Sequence, residues 1–264
     1  MKVNYVVTCW SGPRRFMEES YEKDRTHFLK MQLQQLLKCK NSLSQITFVI
    51  NHNPDEDVNY KRFVKNLPKK VNGVPLVVLR RENVGMMFGV WLHICETYGE
   101  EFDCHFVTED DYVPTFDNFD QIFLSQMSEK CGFVCPKAMP TSVRFWKPCF
   151  DSWPEFLEDT KPNSEPNQRP IFVPTGCVIG LLSNEAVHCL LDKYGKDLYE
   201  YCKADYEIVD RGLIFCALHA NGYSVKRLTG CYRTTFLDAD RKFDTYGDKG
   251  PLILAPTLFV ERNI

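Results

Sequence analysis

The residues best suited to chemistry are three adjacent carboxylates, Glu109, Asp110 and Asp111, which end the apolar run Cys104-His105-Phe106-Val107-Thr108. A short apolar run bounded by turn formers reads as a buried strand. Neighbouring anions repel one another by up to about 1 kcal/mol per pair, so a strand that ends on three of them calls for a cation or for hydrogen-bond donors. A divalent metal meets that need. One or two carboxylates, with the other positions left to phosphate oxygens and water, suit magnesium or manganese bound together with a nucleotide diphosphate. The competing reading is a solvated acidic turn after a strand.

Other candidates fall where an open α/β sheet keeps its ligands. Val3 to Thr8 reads as a first strand, and it runs into Cys9-Trp10-Ser11-Gly12-Pro13-Arg14-Arg15. The loop at the carboxyl end of the first strand is the expected ligand position, which puts Trp10 and Arg14 there. The guanidinium fork of Arg14 suits a diphosphate, and a solvated surface pair with Arg15 is the alternative. Asn83 and Gly85 precede a helix, where a residue without Cβ lets a ligand reach the backbone and the dipole favours phosphate. Glu207 and Asp210 are three apart on a helix start, so they share a face and either could serve as a base. Acidic residues in a first turn are also ordinary complements of the helix dipole.

Strands and helices alternate in the pattern that positions such residues. Strands are expected at Ile46 to Ile50 and Val74 to Leu79. A helix from about Tyr21 to Lys40 would bury Leu29, Leu33, Leu36 and Leu37, and one after Gly85 would bury Met87, Trp91, Ile94, Cys95 and Tyr98 and end on Gly99. Pro114 stops the acidic segment, and a helix from about Asp117 carries Phe119, Ile122, Phe123 and Met127 inward. This order predicts one α/β domain with a mostly parallel sheet flanked by helices. The proline-rich stretch from Cys135 to Pro174, with Phe145, Trp146, Phe150 and Trp153, reads as a long loop serving as an acceptor-side lid. Val173 to Leu182 is expected as one strand in which Gly176 and Gly180 let a ligand or another backbone come close. A helix capped by Ser183 or Asn184, a helix ending at Asn221-Gly222 and a last strand from Tyr223 to Leu228 follow; the tail past Thr235 shows no period.

Composition excludes several classes. A chain of 264 residues can bury a large core, and 44% hydrophobic with 25% charged residues is ordinary for a globular protein. The formal charge of -3 offers no general attraction to nucleic acid or anionic lipid, so an anionic substrate must be held locally. The 12 cysteines form no C-x-x-C pair and lie mostly in apolar segments (Cys95, Cys177, Cys189, Cys216), which suits free thiols in a reducing compartment. Cys131 and Cys135 lack the second pair that a zinc site needs. No stretch approaches the roughly 18 apolar residues of a membrane span, and we expect a cytoplasmic protein.

In this order the elements resemble the GT-A class of nucleotide-sugar glycosyltransferases, a Rossmann-like fold. Glu109-Asp110-Asp111-Tyr112-Val113-Pro114-Thr115-Phe116 is similar to the Glu-Asp-Asp form of the DXD motif in N-acetylglucosaminyltransferase I and its relatives, and a looser likeness runs through Tyr223-Ser224-Val225-Lys226-Arg227 to Arg233-Thr234. The resemblance spans most of residues 3–235. It implies that Asp111 ligates manganese or magnesium, that Glu109 and Asp110 contact the ribose or help hold the metal, that Thr8 lies near the base, and that Asp210 matches the catalytic base. The tryptophan-flanked acid pair that usually presents the base is absent, so Glu207 remains its rival. The implied donor is a nucleotide-diphosphate sugar and the acceptor a glycan or glycoprotein. A donor half of about residues 1–115, an acceptor half of about 116–235 and a tail over 236–264 follow from it. The rival functions are a sugar-phosphate nucleotidylyltransferase, which would want a glycine-rich basic loop after the first strand, and a non-catalytic binding module of the same fold.

Overall fold

The computed structural model of the chain describes residues 1–12, 23–136, 138–142, 172–176, 179–195, 198, 207–228 and 236–238. Its strands are β1 (Val3–Cys9), β2 (Gln45–Asn51), β3 (Lys70–Val71), β4 (Val74–Arg81), β5 (Cys104–Glu109), β6 (Tyr112–Pro114), β7 (Cys131–Cys135), β8 (Ala138–Ser142), β9 (Phe172–Gly176), β10 (Gly180–Ser183), β11 (Ser224–Arg227) and β12 (Phe236–Asp238). The helices are α1 (His27–Lys38), α2 (Val58–Lys65), α3 (Met86–Tyr98), α4 (Phe119–Leu124), α5 (Asn184–Tyr194) and α6 (Glu207–Ala220).

An eight-stranded sheet in the order β11-β7-β10-β5-β1-β2-β4-β3 forms the centre. Strands β5, β1, β2 and β4 are mutually parallel, and β7 and β11 are parallel to each other. β10 runs antiparallel between β5 and β7. The result is the α/β architecture expected from the sequence, with a mostly parallel sheet between helices. β1 is buried at every residue, as a central parallel strand covered on both faces must be.

Strand alternation sorts the core into two layers. Tyr5 and Phe106 are paired neighbours on β1 and β5 with rings 5.7 Å apart, and these rings meet Phe119 and Phe123 of α4 at centroid distances of 4.7–5.6 Å. On the other face Phe133 meets Trp91 of α3 and Phe215 of α6 at 5.0 and 5.4 Å. That second face also carries a buried polar layer. Thr47 donates to Asn4 Oδ1, Asn4 Nδ2 faces His105 Nδ1, His105 Nε2 faces Asn184 Oδ1, and Asn184 Nδ2 donates to the Gly99 carbonyl, at 2.7–3.3 Å. The chain of donors leaves His105 one consistent state, neutral with its proton on Nε2.

Several details differ from the sequence expectation. Leu37 is exposed, and Phe28 and Gln32 complete the buried stripe of α1. The stretch from Val173 to Leu182 is two strands, since β9 pairs with β8 in a ribbon of its own and only β10 enters the central sheet. The ends of the expected long loop are therefore strand; its aromatics, like Cys177, lie outside the described residues. A Cβ on Gly180 would stand 2.3 Å from the Val134 carbonyl, so the close approach is a backbone and not a ligand. β11 is not the last strand, because β12 pairs antiparallel with β6. The helix α2, capped by Asp57 accepting from Asn59 and Tyr60 N–H, and the short β3 carry no clear apolar period. Cys9, Cys39, Cys95, Cys104, Cys131, Cys135, Cys189 and Cys216 are free thiols, and no described helix is long and apolar enough to cross a membrane.

Burial drives the His105 imidazole from its ordinary value down to about 4, with the nearby His188 adding to the effect and the Asn184 hydrogen bond opposing it. The unfolded chain takes a proton near pH 6.5 that the folded chain refuses until about pH 4, so stability is full above 6.5 and is lost as pH falls between these values. The loss attributable to this one group is on the order of 3 kcal/mol. Urea midpoints measured from pH 7 to pH 4.5 should fall, and His105→Gln should flatten that fall even though it lowers the midpoint at pH 7. An equally steep fall in the variant would assign the acid sensitivity elsewhere.

Candidate functional site

From β1 the chain winds outward through β2 to β4, then returns to place β5 on the opposite side of β1. That reversal makes the carboxyl ends of β1 and β5 a topological switch point, the place where open α/β sheets bind ligands. Register sets the residues there, because Thr8 pairs with Glu109. The acidic turn thereby meets the first loop. The Asp110 N–H donates to the Thr8 carbonyl at 3.0 Å, and the Trp10 N–H donates to Asp110 Oδ2 at 3.2 Å. Asp110 is buried, while Glu109 and Asp111 are half-buried.

The facing loop is polar in an unusual way. Thr8 Oγ1 and Ser11 Oγ have no hydrogen-bond partner among the described residues, although these residues are only 8% and 3% exposed. A buried hydroxyl without a partner costs about 1–3 kcal/mol, so two of them on one loop indicate a place where a ligand or water belongs. Trp10 lies back over Gly12, where a Cβ would stand 2.4 Å from the indole. A glycine is needed there to let the ring cover the loop.

The structure brings Thr8, Trp10, Glu109, Asp110 and Asp111 together at the carboxyl ends of β1 and β5. Arg14 lies outside the described residues. Gly85 caps α3 at φ +71°, a left-handed conformation suited to glycine; it is buried and Asn83 is exposed. Both follow β4, which lies two strands from β1, or roughly 10 Å at ordinary strand spacing. They share the sheet edge with the acidic turn without adjoining it. Arg81 holds their loop, its guanidinium donating to Asn51 Oδ1 at 2.9 Å and to the Val84 carbonyl at 2.6 Å. Glu207 and Asp210 lie in the first turn of α6, and their side chains are outside the described residues. α6 leads through a tight turn into β11, which is parallel to β7, so its first turn stands at the carboxyl edge of the sheet.

Sequence reasoning passed over Ser11 and Gln32. Ser11 carries no signal beyond its loop. Gln32 does, as a polar residue between Leu29 and Leu36 at the spacing of a buried helical face.

The carboxylates of the turn are hard oxygen donors, a chemistry that fits a divalent cation sharing phosphate oxygens. Among the described residues, no group of three or more His, Cys, Asp and Glu is arranged to hold a metal alone. Diphosphate oxygens and water would have to complete the shell.

The chain matches no family model and no curated protein. Solved structures similar to it include mouse xyloside xylosyltransferase 1 in its apo form, at 11% identity and TM-score 0.46 over 87% of this chain and 85% of that one. A cytidylyltransferase from Leptospira borgpetersenii is 15% identical, with TM-score 0.44 over 86% of this chain and 76% of the other. The glycosyltransferase GlyE of Streptococcus pneumoniae is 14% identical, with TM-score 0.42 over 88% of this chain and 46% of that protein. The functional reading rests on this chain's own topology and residues.

Asp110 ties the loop after β1 to the acidic turn, so Asp110→Ala should destabilise the protein by about 1–3 kcal/mol, whereas Asp110→Asn, which keeps an acceptor for the Trp10 N–H, should cost less. Chemical denaturation checks both, and equal midpoints for Ala, Asn and the parent would show that the carboxylate does not hold the loop.

Proposed function

We propose that the protein is a metal-dependent glycosyltransferase that moves a sugar from a nucleotide-diphosphate sugar to an acceptor hydroxyl of a glycan or glycoprotein. The observation that carries this reading is the joining of the acidic turn to the first loop at the switch point of the sheet, with Asp110 bonded to both Thr8 and Trp10. The likeness of Glu109 to Phe116 to the Glu-Asp-Asp motif of N-acetylglucosaminyltransferase I and its relatives supports the same assignment.

In this reading the Thr8 and Ser11 hydroxyls and the Trp10 ring receive the nucleoside end of the donor, and Glu109 contacts the ribose. Asp111, with Asp110 behind it, would hold manganese or magnesium, which when bound offsets the negative charge that develops on a departing diphosphate. Asp210, or Glu207 in its place, takes the proton of the acceptor hydroxyl as that oxygen bonds to the anomeric carbon. Attack comes from the face opposite the leaving diphosphate, so the anomeric configuration inverts. The helix entry at Asn83 and Gly85 supplies positive potential along the same edge, and Arg14, three residues past Ser11 in sequence, would add a guanidinium for the diphosphate.

Incubation with a panel of nucleotide sugars and manganese should release a nucleoside diphosphate from at least one donor. Formation or consumption of pyrophosphate would instead identify a nucleotidylyltransferase, and no release from any donor would point to a binding module. Asp111→Ala should abolish transfer and weaken manganese-dependent donor binding, while Asp210→Asn should stop turnover and leave donor binding intact. Full turnover in either variant removes that residue from its role.

A further inference from the structure

We infer that Gln32 is a positioning residue, which holds the acidic turn in the one backbone conformation that presents Asp110 and Asp111 at the carboxyl ends of β1 and β5. The inference rests on the functional reading above, and it concerns a residue that reaches the turn through backbone carbonyls.

Gln32 sits in the middle of α1 and is 0% exposed. Its Nε2 lies 3.2 Å from the Glu109 carbonyl, 3.2 Å from that of Asp110 and 2.5 Å from that of Tyr112. Three carbonyls of a four-residue turn thus converge on one amide group. Carbonyls only accept, so the nitrogen end of the amide must face them. Its oxygen end is taken by the Tyr5 hydroxyl, which donates to Oε1 at 3.0 Å, and this second bond prevents the amide from turning over. The Thr108 hydroxyl adds a donor to the same carbonyls of Glu109 and Tyr112, at 3.2 Å each.

The arrangement has a clear energetic sense. A turn that places three carboxylates side by side would relax if its carbonyls faced solvent. Curling it around a buried amide satisfies those carbonyls inside the protein, and each would cost about 1–3 kcal/mol if left unmatched there. Gln32 is the wrong residue for an apolar helix face and the right one for this. It couples α1, the helix that follows the first loop, to the turn that the loop must meet. Partners that orient ligating carboxylates typically change metal affinity by about 10–100-fold when removed.

Gln32→Leu fills nearly the same volume without the amide. Leu36→Ala, one helical turn further along the same buried face of α1 and without a polar group, serves as a control for loss of stability alone. Manganese affinity should fall by at least about tenfold in Gln32→Leu and stay within about twofold of the parent in Leu36→Ala. Amide exchange of Asp110 and Trp10 should accelerate selectively in Gln32→Leu, with β1–β2 amides unchanged relative to Leu36→Ala. Equal affinities and equal exchange in the two variants would overturn the inference. If the parent protein takes up no manganese and releases no nucleoside diphosphate, the functional reading fails, and the exchange rates alone then decide whether Gln32 clamps the turn.

Discussion

The structure turns on a pair of backbone-level contacts at the end of β1, where the Asp110 N–H meets the Thr8 carbonyl and the Asp110 carboxylate receives the Trp10 N–H. Both depend on β1 and β5 being parallel neighbours in a register that sets Thr8 against Glu109. A shift of one residue in that register would send Phe106 to the face of His105 and dismantle both core layers. Packing of the aromatic layer around Tyr5 and Phe106 therefore fixes, at a distance, where the carboxylates emerge.

The two faces of the sheet divide the work. One is aromatic near α4 and holds Gln32 beneath the acidic turn. The other carries Asn4, Thr47, His105 and Asn184, a hydrogen-bonded layer that spans β1, β2, β5 and the start of α5. Each member of that layer is matched, which is the condition for burying polar groups without loss. The hydroxyls of Thr8 and Ser11, at the carboxyl end of β1, are buried without such matches among the described residues, as are Trp91 Nε1 and Asp120 Oδ1 elsewhere in the core.

How the acidic turn is held from behind also follows from packing. β12 pairs with β6 directly after the acidic turn, and α1 packs across β6. The turn is thus pinned from both sides, by a strand from the far end of the chain and by the helix that carries Gln32. The half-buried Glu109 and Asp111 project from a backbone with little freedom to move, and such fixed geometry is what charge stabilisation in a site requires.

The amino-acid sequence by itself determined the alternation of strands and helices, hence the mostly parallel sheet, and it singled out Glu109, Asp110 and Asp111 as a candidate site. Those properties are local, carried by periodicity and by adjacent charges. Tertiary structure alone decided the split of Val173 to Leu182 between two sheets, since an apolar run signals burial but not the partner strand. It decided the strand at Phe236–Asp238, three residues too short to show a period. It also decided the surroundings of Ser11 and Gln32, because a hydroxyl's lack of a partner and an amide's three carbonyls are relations between segments up to 80 residues apart, which no pattern within one segment encodes.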